Sequence, residues 1–428
     1  MASGREITRT GFAALGSLLA GRRRYARAIA VFGEVAGLYA AFRVRPAGRT
    51  LSDVHTEAAL RVTELCRRNG AIWVKAAQFF SCRPDVLPLE YIQALQVLQN
   101  EGMPTSFRHV EEVLSRAWGS GWRQGFLEFS EIPVAVASIA QVHRARLANG
   151  QEVAVKVRLP GVVELFEQDA RVFRFLAELV SPFFRQLDFP QITEQLLEMT
   201  AVEMDFRNES YNLERFARIP HPPRIRVPVL EAELSRGDVL VTHWIEGDRL
   251  REFLDANPGQ AADLLTLLFG SYLQQVTRVG LYQADPHPGN FIIGPNREIF
   301  ILDFGAIGKL TPQEVRNYSR LLYGLMGFLP GEDIGKLFVD AGFVGGKAET
   351  LRDLALYVLS DRMNDQNVAY AMEELIEKFR ENHVRIPDSY IGIARVLITL
   401  GGLLMHYKVP FDWTPPERRP SMQGQTTS

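Results

Sequence analysis

The pattern of apolar and polar positions divides the chain into regions of different secondary structure. Residues 1–120 carry apolar positions at helical spacing, with breaks at three prolines. After residue 126 the apolar and polar positions alternate, which predicts three strands, at 134–139, 141–147 and 152–159. Asn149-Gly150 separates the last two strands, and this dipeptide is the strongest short signal for a β-hairpin.

The second half of the chain returns to a mainly helical pattern. We expect helices over 164–218, with a break near 182–190, and over 264–279, and short strands at 226–230, 239–244, 291–293 and 299–302. From there to residue 407 nearly everything has a helical pattern. This order predicts an α+β protein with two lobes, one a small antiparallel sheet and one mainly helical, preceded by a helical extension. A cleft between lobes is the default place for a ligand.

Composition and charge exclude several classes of protein. The net charge is −2, so no overall basic field favours nucleic acid as a partner. The two cysteines, Cys66 and Cys82, do not form a disulfide framework or a zinc motif, which favours a reducing compartment.

The first 49 residues differ from the rest in charge. Nine Arg and two Glu give them a net charge of +7, so the remainder carries −9. No run reaches 18 uncharged apolar residues, and the run at 11–20 is too short to span a membrane. We expect one or two amphipathic helices over 12–42 with Arg on one side. Such helices can pack on the rest of the protein or lie on a membrane surface.

Two segments have the residue types and the spacing of a phosphoryl-transfer site. Asp285 and Asn290 lie five residues apart in a loop that two prolines and a glycine keep from being helical. Asp303-Phe304-Gly305 follows the apolar run at 299–302. In protein kinases a catalytic Asp, an Asn after four intervening residues and a later Asp-Phe-Gly orient the acceptor and hold Mg²⁺. Gln283-Ala284 stands where kinases have His-Arg, and His287 is interpreted as structural.

A lysine in an apolar strand adds a second kinase-like element. Lys156 in the run Val-Ala-Val-Lys-Val resembles the strand lysine that pairs with nucleotide phosphates and with a helical Glu. The segment before it, at 133–143, has no glycine, although kinases carry a glycine-rich loop there. Its small residues still let a backbone approach a nucleotide.

Four segments together resemble the UbiB/AarF-like atypical kinases over residues 50–410. They are the alanine-rich run with the lysine strand at 133–162, the ExD-type segment at 201–212, the Asp285 and Asp303 loops, and a KxGQ-type helix with the segment after it at 73–88. The resemblance implies a protein-kinase-like fold and the following segments: 1–49, basic and apolar; 50–125, helical extension; 126–245, N-lobe; 246–412, C-lobe; 413–428, disordered tail.

The resemblance also implies roles for individual residues. Lys156 would contact nucleotide phosphates and pair with Glu209, and Asp285 would take the catalytic position. Asn290 and Asp303 would hold Mg²⁺. The phosphate loop would comprise Ala135, Val136, Ala137 and Ser138, and the segment that contacts adenine would comprise Thr242, His243, Trp244 and Ile245. Lys75 and Gln78 would meet Glu203 and Asp205 and close the site against protein substrates.

Three details bear on these roles. Glu203 and Glu209 are six residues apart, about 240° around a helix, so they need two cations, and Lys75 with Lys156 would supply them. Ala77 stands where the family has glycine, and Val136 stands where alanine is usual. These two departures affect the fine geometry more than the fold.

The resemblance implies ATP and Mg²⁺ as cofactors and leaves three functions open. The first is an ATPase or phosphotransferase that supports ubiquinone or other isoprenoid-lipid metabolism. The second is a small-molecule kinase of the aminoglycoside or choline-kinase type, against which the extension at 75–88 argues. The third is a non-catalytic, nucleotide-gated carrier or scaffold for lipids. We expect a cytoplasmic or peripherally membrane-bound protein whose partner is an isoprenoid lipid or quinone intermediate.

Overall fold

In the computed structural model the described residues are 4–46, 48–81, 83, 86–100, 104–181, 188–325, 328–345, 347–362 and 368–410. The predicted tail at 413–428, Cys82 and most of the predicted break at 182–190 lie outside them. The chain divides into two compact units. Unit 1 comprises Met1–Arg215 with Pro228–Ile245, and unit 2 comprises Phe216–Val227 with Glu246–Ser428.

Unit 1 begins with helices, as predicted. They are α1 (Gly4–Val44), α2 (Leu51–Asn69), α3 (Ile72–Phe80), α4 (Leu89–Gln96), α5 (Phe107–Trp118), α6 (Val162–Val180), α7 (Phe189–Glu203) and α8 (Phe206–Ala217), whose last two residues belong to unit 2. Thr50 and Asp53 form a capping box at the start of α2, which satisfies backbone amides that a helix leaves unpaired. One apolar core joins α2, α3 and α6, with Trp73 stacked on Phe173.

The sheet of unit 1 is antiparallel. It contains β1 (Phe126–Phe129), β2 (Ala135–Val136), β3 (Ala140–Leu147), β4 (Glu152–Arg158) and β6 (Val239–His243) in the order β1-β3-β4-β6, with β2 on β3. Three valines of β4 are fully buried, at 153, 155 and 157, and they pack on α5. Because side chains alternate along a strand, Lys156 lies on the opposite face. The Asn149-Gly150 hairpin is confirmed, and Gly150 has the positive φ of 90° that the turn needs.

Unit 2 is mainly helical. Its helices are α9 (Leu250–Ala256), α10 (Ala261–Gln274), α11 (Pro312–Leu325), α12 (Ile334–Asp340), α13 (Ala348–Arg362), α14 (Val368–Glu381) and α15 (Asp388–His406). Its strands are β5 (Ile225–Arg226), β7 (Asp248–Arg249), β8 (Leu281–Gln283), β9 (Phe291–Ile293), β10 (Ile299–Ile301) and β11 (Ile307–Lys309). Four of them form a sheet in the order β5-β10-β9-β7, and β8 pairs with β11.

The structure confirms the α+β class and corrects some of the predicted elements. The helix predicted through residues 190–218 is interrupted, because it breaks after Glu203 into α7 and α8. The region after residue 302 is mainly helical, as predicted, and its short strand β11 pairs with β8 and orders the segment that follows Asp303. The predicted strand at 226–230 is reduced to β5, and Leu230 makes only an isolated bridge, to Thr242.

Two helices among the described residues are long and apolar enough to cross a membrane by length and composition. They are Arg22–Val44, with 6% of its most apolar window buried, and Asp388–His406, with 50% buried. Each contains charged residues, so neither is an uncharged run. The second packs as a core helix of unit 2, since Ile393, Val396 and Leu397 are buried.

Candidate active site

A bidentate ion pair fixes the strand lysine of unit 1. The Lys156 ammonium donates to both carboxylate oxygens of Glu209, at 2.8 Å each. Glu209 lies on α8 and is only 4% exposed, and the ammonium also lies 5.3 Å from the centre of the Phe206 ring. A buried carboxylate needs a cation, so this pair holds the charge of Lys156 in one place.

A second ion pair joins the helical extension to α7. The Lys75 ammonium on α3 lies 2.5 Å from a carboxylate oxygen of Glu203, the last residue of α7. Gln78 lies one turn further along α3 and is half-buried. Ala77, where the resemblance leads us to expect glycine, is buried in the apolar core with Trp73, so its methyl group is accommodated there.

Asp205 pairs with Arg207, a partner that we did not expect. The Arg207 guanidinium donates to Asp205 at 2.6 and 2.9 Å, and these hydrogen bonds hold the pKa of the Asp205 carboxyl below its usual range. Asp205 also accepts the backbone amide of Arg207 in the first turn of α8. The chain bends at this point, so Glu203 and Glu209 lie on different helices. Each of the two carboxylates reaches a different lysine.

The alanine-rich segment forms a tight hairpin. Ala135 and Val136 make up β2 and pair with Val142 and Gln141 of β3. The turn contains Ala137 and Ser138, and the Ala137 amide donates to the Ala140 carbonyl at 2.7 Å. The valine that departs from the family pattern thus lies in the paired strand and not in the turn.

The predicted adenine-contact segment lies at the end of β6. The His243 amide donates to the Val229 carbonyl and the Trp244 amide donates to the Glu152 carbonyl. The His243 imidazole lies 2.8 Å from Glu231. Thr242 is paired with Ala154 in the sheet, so contacts of this segment to a base would involve other backbone groups, such as those of Ile245.

In unit 2, Asp285 follows β8 and has a charged partner. The Arg395 guanidinium on α15 lies 2.5 Å from Oδ1 of Asp285. The Asn290 amide nitrogen donates to the Asp285 carbonyl at 3.0 Å, which directs the amide of Asn290 within the same loop. The loop is therefore held both by its own polar groups and by a helix more than a hundred residues away.

His287 has the environment of a structural residue. Its Nδ1 accepts the Gly289 amide at 3.1 Å, which requires that nitrogen to be unprotonated. Burial lowers the pKa of His287, and nearby arginines add to this effect while Asp285 opposes it. A neutral imidazole that shapes the loop agrees with the interpretation made from the sequence.

Asp303 lies directly after Leu302, at the end of β10. Its Oδ1 accepts the Gly305 amide at 2.8 Å, and the Leu302 amide donates to the Asn290 carbonyl, so the two loops are joined. Among the described residues, no group of three or more His, Cys, Asp or Glu side chains could hold a metal ion. A metal held by Asn290 and Asp303 would thus have one amide and one carboxylate ligand from the chain. Such oxygen ligands suit Mg²⁺, which usually keeps waters and substrate phosphates as its other ligands.

Two residues of this site were not predicted, although each left a signal in the sequence. Arg395 is a lone cation in an apolar helical run, and such a charge needs a partner. Gln283 is a polar residue in a strand that is otherwise apolar and buried, and its side chain contacts both loops.

Comparison with known proteins places the chain among kinase-like relatives. A family profile described as the ABC1 atypical kinase-like domain matches residues 97–328. AarF domain-containing protein kinase 1 of Xenopus tropicalis is 32% identical over 283 residues, which cover 64% of this chain and 54% of that protein. Protein ACTIVITY OF BC1 COMPLEX KINASE 7, chloroplastic, of Arabidopsis thaliana is 28% identical over 362 residues, which cover 81% of this chain and 52% of that protein. The chain thus spans about half the length of these two relatives.

A solved structure shares the fold. Rv3197 from Mycobacterium tuberculosis, solved as a complex with erythromycin, matches with a TM-score of 0.57 at 26% identity. The match covers 78% of this chain and 88% of that one. With the family profile, it confirms the predicted protein-kinase-like α+β fold.

The buried ion pair of unit 1 can be tested by a double-mutant cycle. Lys156→Met leaves the Glu209 carboxylate without its cation, and we expect the free energy of unfolding to fall by about 3 kcal/mol. Lys156→Met combined with Glu209→Gln should cost less than the sum of the single changes, with a coupling of about 1–3 kcal/mol. Denaturant unfolding followed by circular dichroism measures all three variants.

The exposed pair of Arg174 and Glu194 is the matched control. It is also bidentate, at 2.6 and 2.9 Å, but half of each side chain is exposed. Arg174→Met and Glu194→Gln should couple by roughly 0–1 kcal/mol. Equal coupling energies in the two cycles would contradict the assigned role of burial.

Proposed function

Because this chain belongs to the ABC1 atypical kinase-like family, we propose that it binds Mg-ATP and acts as an ATPase or phosphotransferase. The observation that carries the proposal is the bidentate pair of Lys156 and Glu209. A lysine held in this way presents a fixed positive charge to nucleotide phosphates, as the strand lysine of kinases does. Ala135, Ala137 and Ser138 would cover the phosphates.

Asp285 takes the catalytic position in this proposal. Arg395 engages its Oδ1, so Oδ2 is the oxygen that orients the hydroxyl of the acceptor or the attacking water. Phosphoryl transfer depends mainly on positioning and on charge stabilisation, because its transition state demands little covalent chemistry from the protein. A carboxylate fixed on one side by a guanidinium suits that task.

Asn290 and Asp303 would hold Mg²⁺. The ion, when bound, neutralises charge on the phosphate oxygens of the nucleotide. The chain's own contribution is to fix the two ligands, and it does so through backbone hydrogen bonds. The Gly305 amide holds Asp303, and the Leu302 amide joins its loop to Asn290.

The acceptor or effector is proposed to be an isoprenoid lipid or quinone intermediate, in support of ubiquinone or related metabolism. The family resemblance and the apolar and basic segment Arg22–Val44 of α1, little of which is buried, support this choice. We further propose that Lys75 and Gln78 restrict access of protein substrates. The proposed location is the cytoplasm or a membrane surface, and the chloroplastic relative extends the proposal to an organelle membrane.

A second candidate function is a nucleotide-gated carrier without turnover. The alanine-rich hairpin favours it, because Cβ atoms and the Ala137–Ala140 hydrogen bond restrict a loop that is glycine-rich and adaptable in kinases. The relative solved with erythromycin is a reason to include macrolides among the ligands tested. A small-molecule kinase of the aminoglycoside or choline-kinase type is a third candidate.

ATP hydrolysis by wild type and Asp303→Asn tests the catalytic proposal. Loss of the carboxylate charge weakens the metal site, so turnover should fall by roughly 100-fold or more. Phosphate release is measured with and without anionic vesicles. Asp340→Asn is the matched control, because Asp340 is an exposed aspartate at the end of α12 and should leave turnover unchanged.

The outcomes separate the candidate functions. Equal rates for wild type and Asp303→Asn in every condition would sink the catalytic proposal. Tight Mg-nucleotide binding by the wild type without turnover would favour the carrier. A phosphorylated aminoglycoside or choline detected by mass spectrometry would favour the small-molecule kinase.

Removing the partner of Asp285 should affect turnover and not nucleotide binding. Arg395→Ala frees the carboxylate to rotate, and we expect kcat to fall by roughly 10- to 100-fold, because small misplacements of reacting groups are costly. Mg-nucleotide affinity, measured with a fluorescent analogue, should stay within about twofold. Arg395→Lys should restore part of the rate.

Arg224→Ala is the control for this experiment. Arg224 makes a bidentate pair with Asp263 in the same unit, at 2.7 Å, and the pair is about half exposed. Its removal should leave kcat unchanged. If Arg395→Ala turns over like wild type, Arg395 does not orient the catalytic carboxylate.

The basic face of α1 should bind anionic membranes. Arg22 and Arg23 are exposed, and reversing both to Glu should lower binding to phosphatidylserine vesicles by roughly tenfold or more. Flotation with phosphatidylserine and with phosphatidylcholine vesicles measures the effect. Arg67→Glu with Arg68→Glu reverses two exposed charges on α2 and is the control. If both variants lose vesicle binding equally, the effect is one of overall charge, and α1 does not carry the membrane-binding surface.

A further inference from the structure

Gln283 is a fully buried polar residue two positions before Asp285. Its side chain is 0% exposed and its carboxamide makes four hydrogen bonds. Oε1 accepts the Asp285 amide at 3.0 Å and the Tyr272 hydroxyl at 2.8 Å. Nε2 donates to the Asp285 carbonyl at 2.8 Å and to the Asp303 carbonyl at 3.1 Å.

The four partners determine the orientation of the carboxamide. A backbone amide faces Oε1, and two carbonyl oxygens face Nε2, so a rotated amide would oppose like groups. A glutamine side chain offers two donor hydrogens and an acceptor oxygen with two lone pairs. All four are used here, which leaves the group no alternative arrangement of equal energy.

These bonds connect the backbones of the two loops that carry the candidate chemistry. One side chain contacts both the amide and the carbonyl of Asp285, and also the carbonyl of Asp303. The Asp285 carbonyl also accepts a hydrogen bond from the side-chain amide of Asn290. The orientation of Asn290 therefore depends on the same carbonyl that Gln283 holds. We propose that Gln283 is a positioning residue that holds the catalytic loop and the metal loop in register, a role that rests on the proposed function.

Other residue types at this position would leave some of the four partners without a hydrogen bond. Leucine would leave the two carbonyls and the Asp285 amide without their partner in a buried site. An ionised glutamate would place an oxygen against two carbonyl oxygens. Histidine offers two ring nitrogens for four partners, so it would keep part of the network.

Tyr272 on α10 supports the carboxamide from the side away from the loops. Burial raises the pKa of Tyr272 well above its usual value, so its hydroxyl keeps the proton that it donates. The side-chain oxygen of Gln275 accepts a hydrogen bond from the backbone amide of Gln283 at 3.2 Å. Gln283 is thus held by a helix that carries none of the candidate catalytic residues.

The test is the gain in nucleotide affinity that Mg²⁺ produces in the full-length protein. A fluorescent ATP analogue is titrated in EDTA and in Mg²⁺, and the ratio of the two Kd values is compared among variants. Gln283→Leu should leave the Kd in EDTA near that of wild type and reduce the ratio by ~10-fold, because the metal ligands lose their register. Gln283→His should recover part of the ratio.

Tyr272→Phe provides a variant that keeps the fold if Gln283→Leu does not. It removes one bond to Oε1 and should lower the ratio by ~2- to 5-fold. Tyr318→Phe is its matched control, because Tyr318 is equally buried in unit 2 but its hydroxyl bonds Ser389 on α15, which belongs to neither loop. Tyr318→Phe should keep the wild-type ratio.

The outcomes separate this inference from the proposed function. If Mg²⁺ gives wild type no gain in affinity, the proposed Mg-ATP function fails first. If wild type shows the gain and both Gln283→Leu and Tyr272→Phe keep it, the positioning role is overturned. A loss in Tyr318→Phe equal to that in Tyr272→Phe would also overturn it, because the effect would then be one of general stability.

Discussion

The ion pair between Lys156 and Glu209 is the constraint on which the candidate site of unit 1 depends. Valines on the other face of β4 anchor the strand in the apolar core, so alternation alone places Lys156 on the opposite face. A carboxylate as buried as that of Glu209 is costly without a cation. The ion pair therefore holds the lysine and the first turn of α8 in fixed positions relative to each other. The position of that turn depends in its turn on the break between α7 and α8.

Compensation of charge recurs at each group that the proposed chemistry needs. Glu203 has Lys75, Asp285 has Arg395, and Asp303 has the amide of Gly305. In each case the partner comes from a defined element or from the same short loop. Fixed dipoles and charges stabilise a transition state because they need no reorganisation during the reaction. Within each unit, these pairs hold the groups in place before any ligand binds.

Local rules made part of this site predictable from sequence. Prolines and a glycine kept residues 285–290 out of an α-helix, Asn149-Gly150 marked a hairpin, and alternation placed Lys156 on a strand. The break after Glu203 was not predictable in this way, because it depends on tertiary contacts such as the Phe206 amide bonding the Gly237 carbonyl. The pairing of Arg395 with Asp285 escaped prediction for a similar reason, since it joins residues far apart in the chain. The pairing of Asp205 with Arg207 is local, two residues apart, but the resemblance had assigned Asp205 to Lys75 and Gln78.

At Gln283, the sequence and the fold each supply part of the explanation. Its departure from the His-Arg-Asp form was visible in the sequence, but only the fold shows that a carboxamide serves four partners there. A planar side chain with two donors and an acceptor oxygen can join two loop backbones, whereas an imidazole engages fewer groups. The substitution therefore does not weaken the kinase-like reading of the loop. It replaces one means of holding Asp285 with another that also involves Asp303.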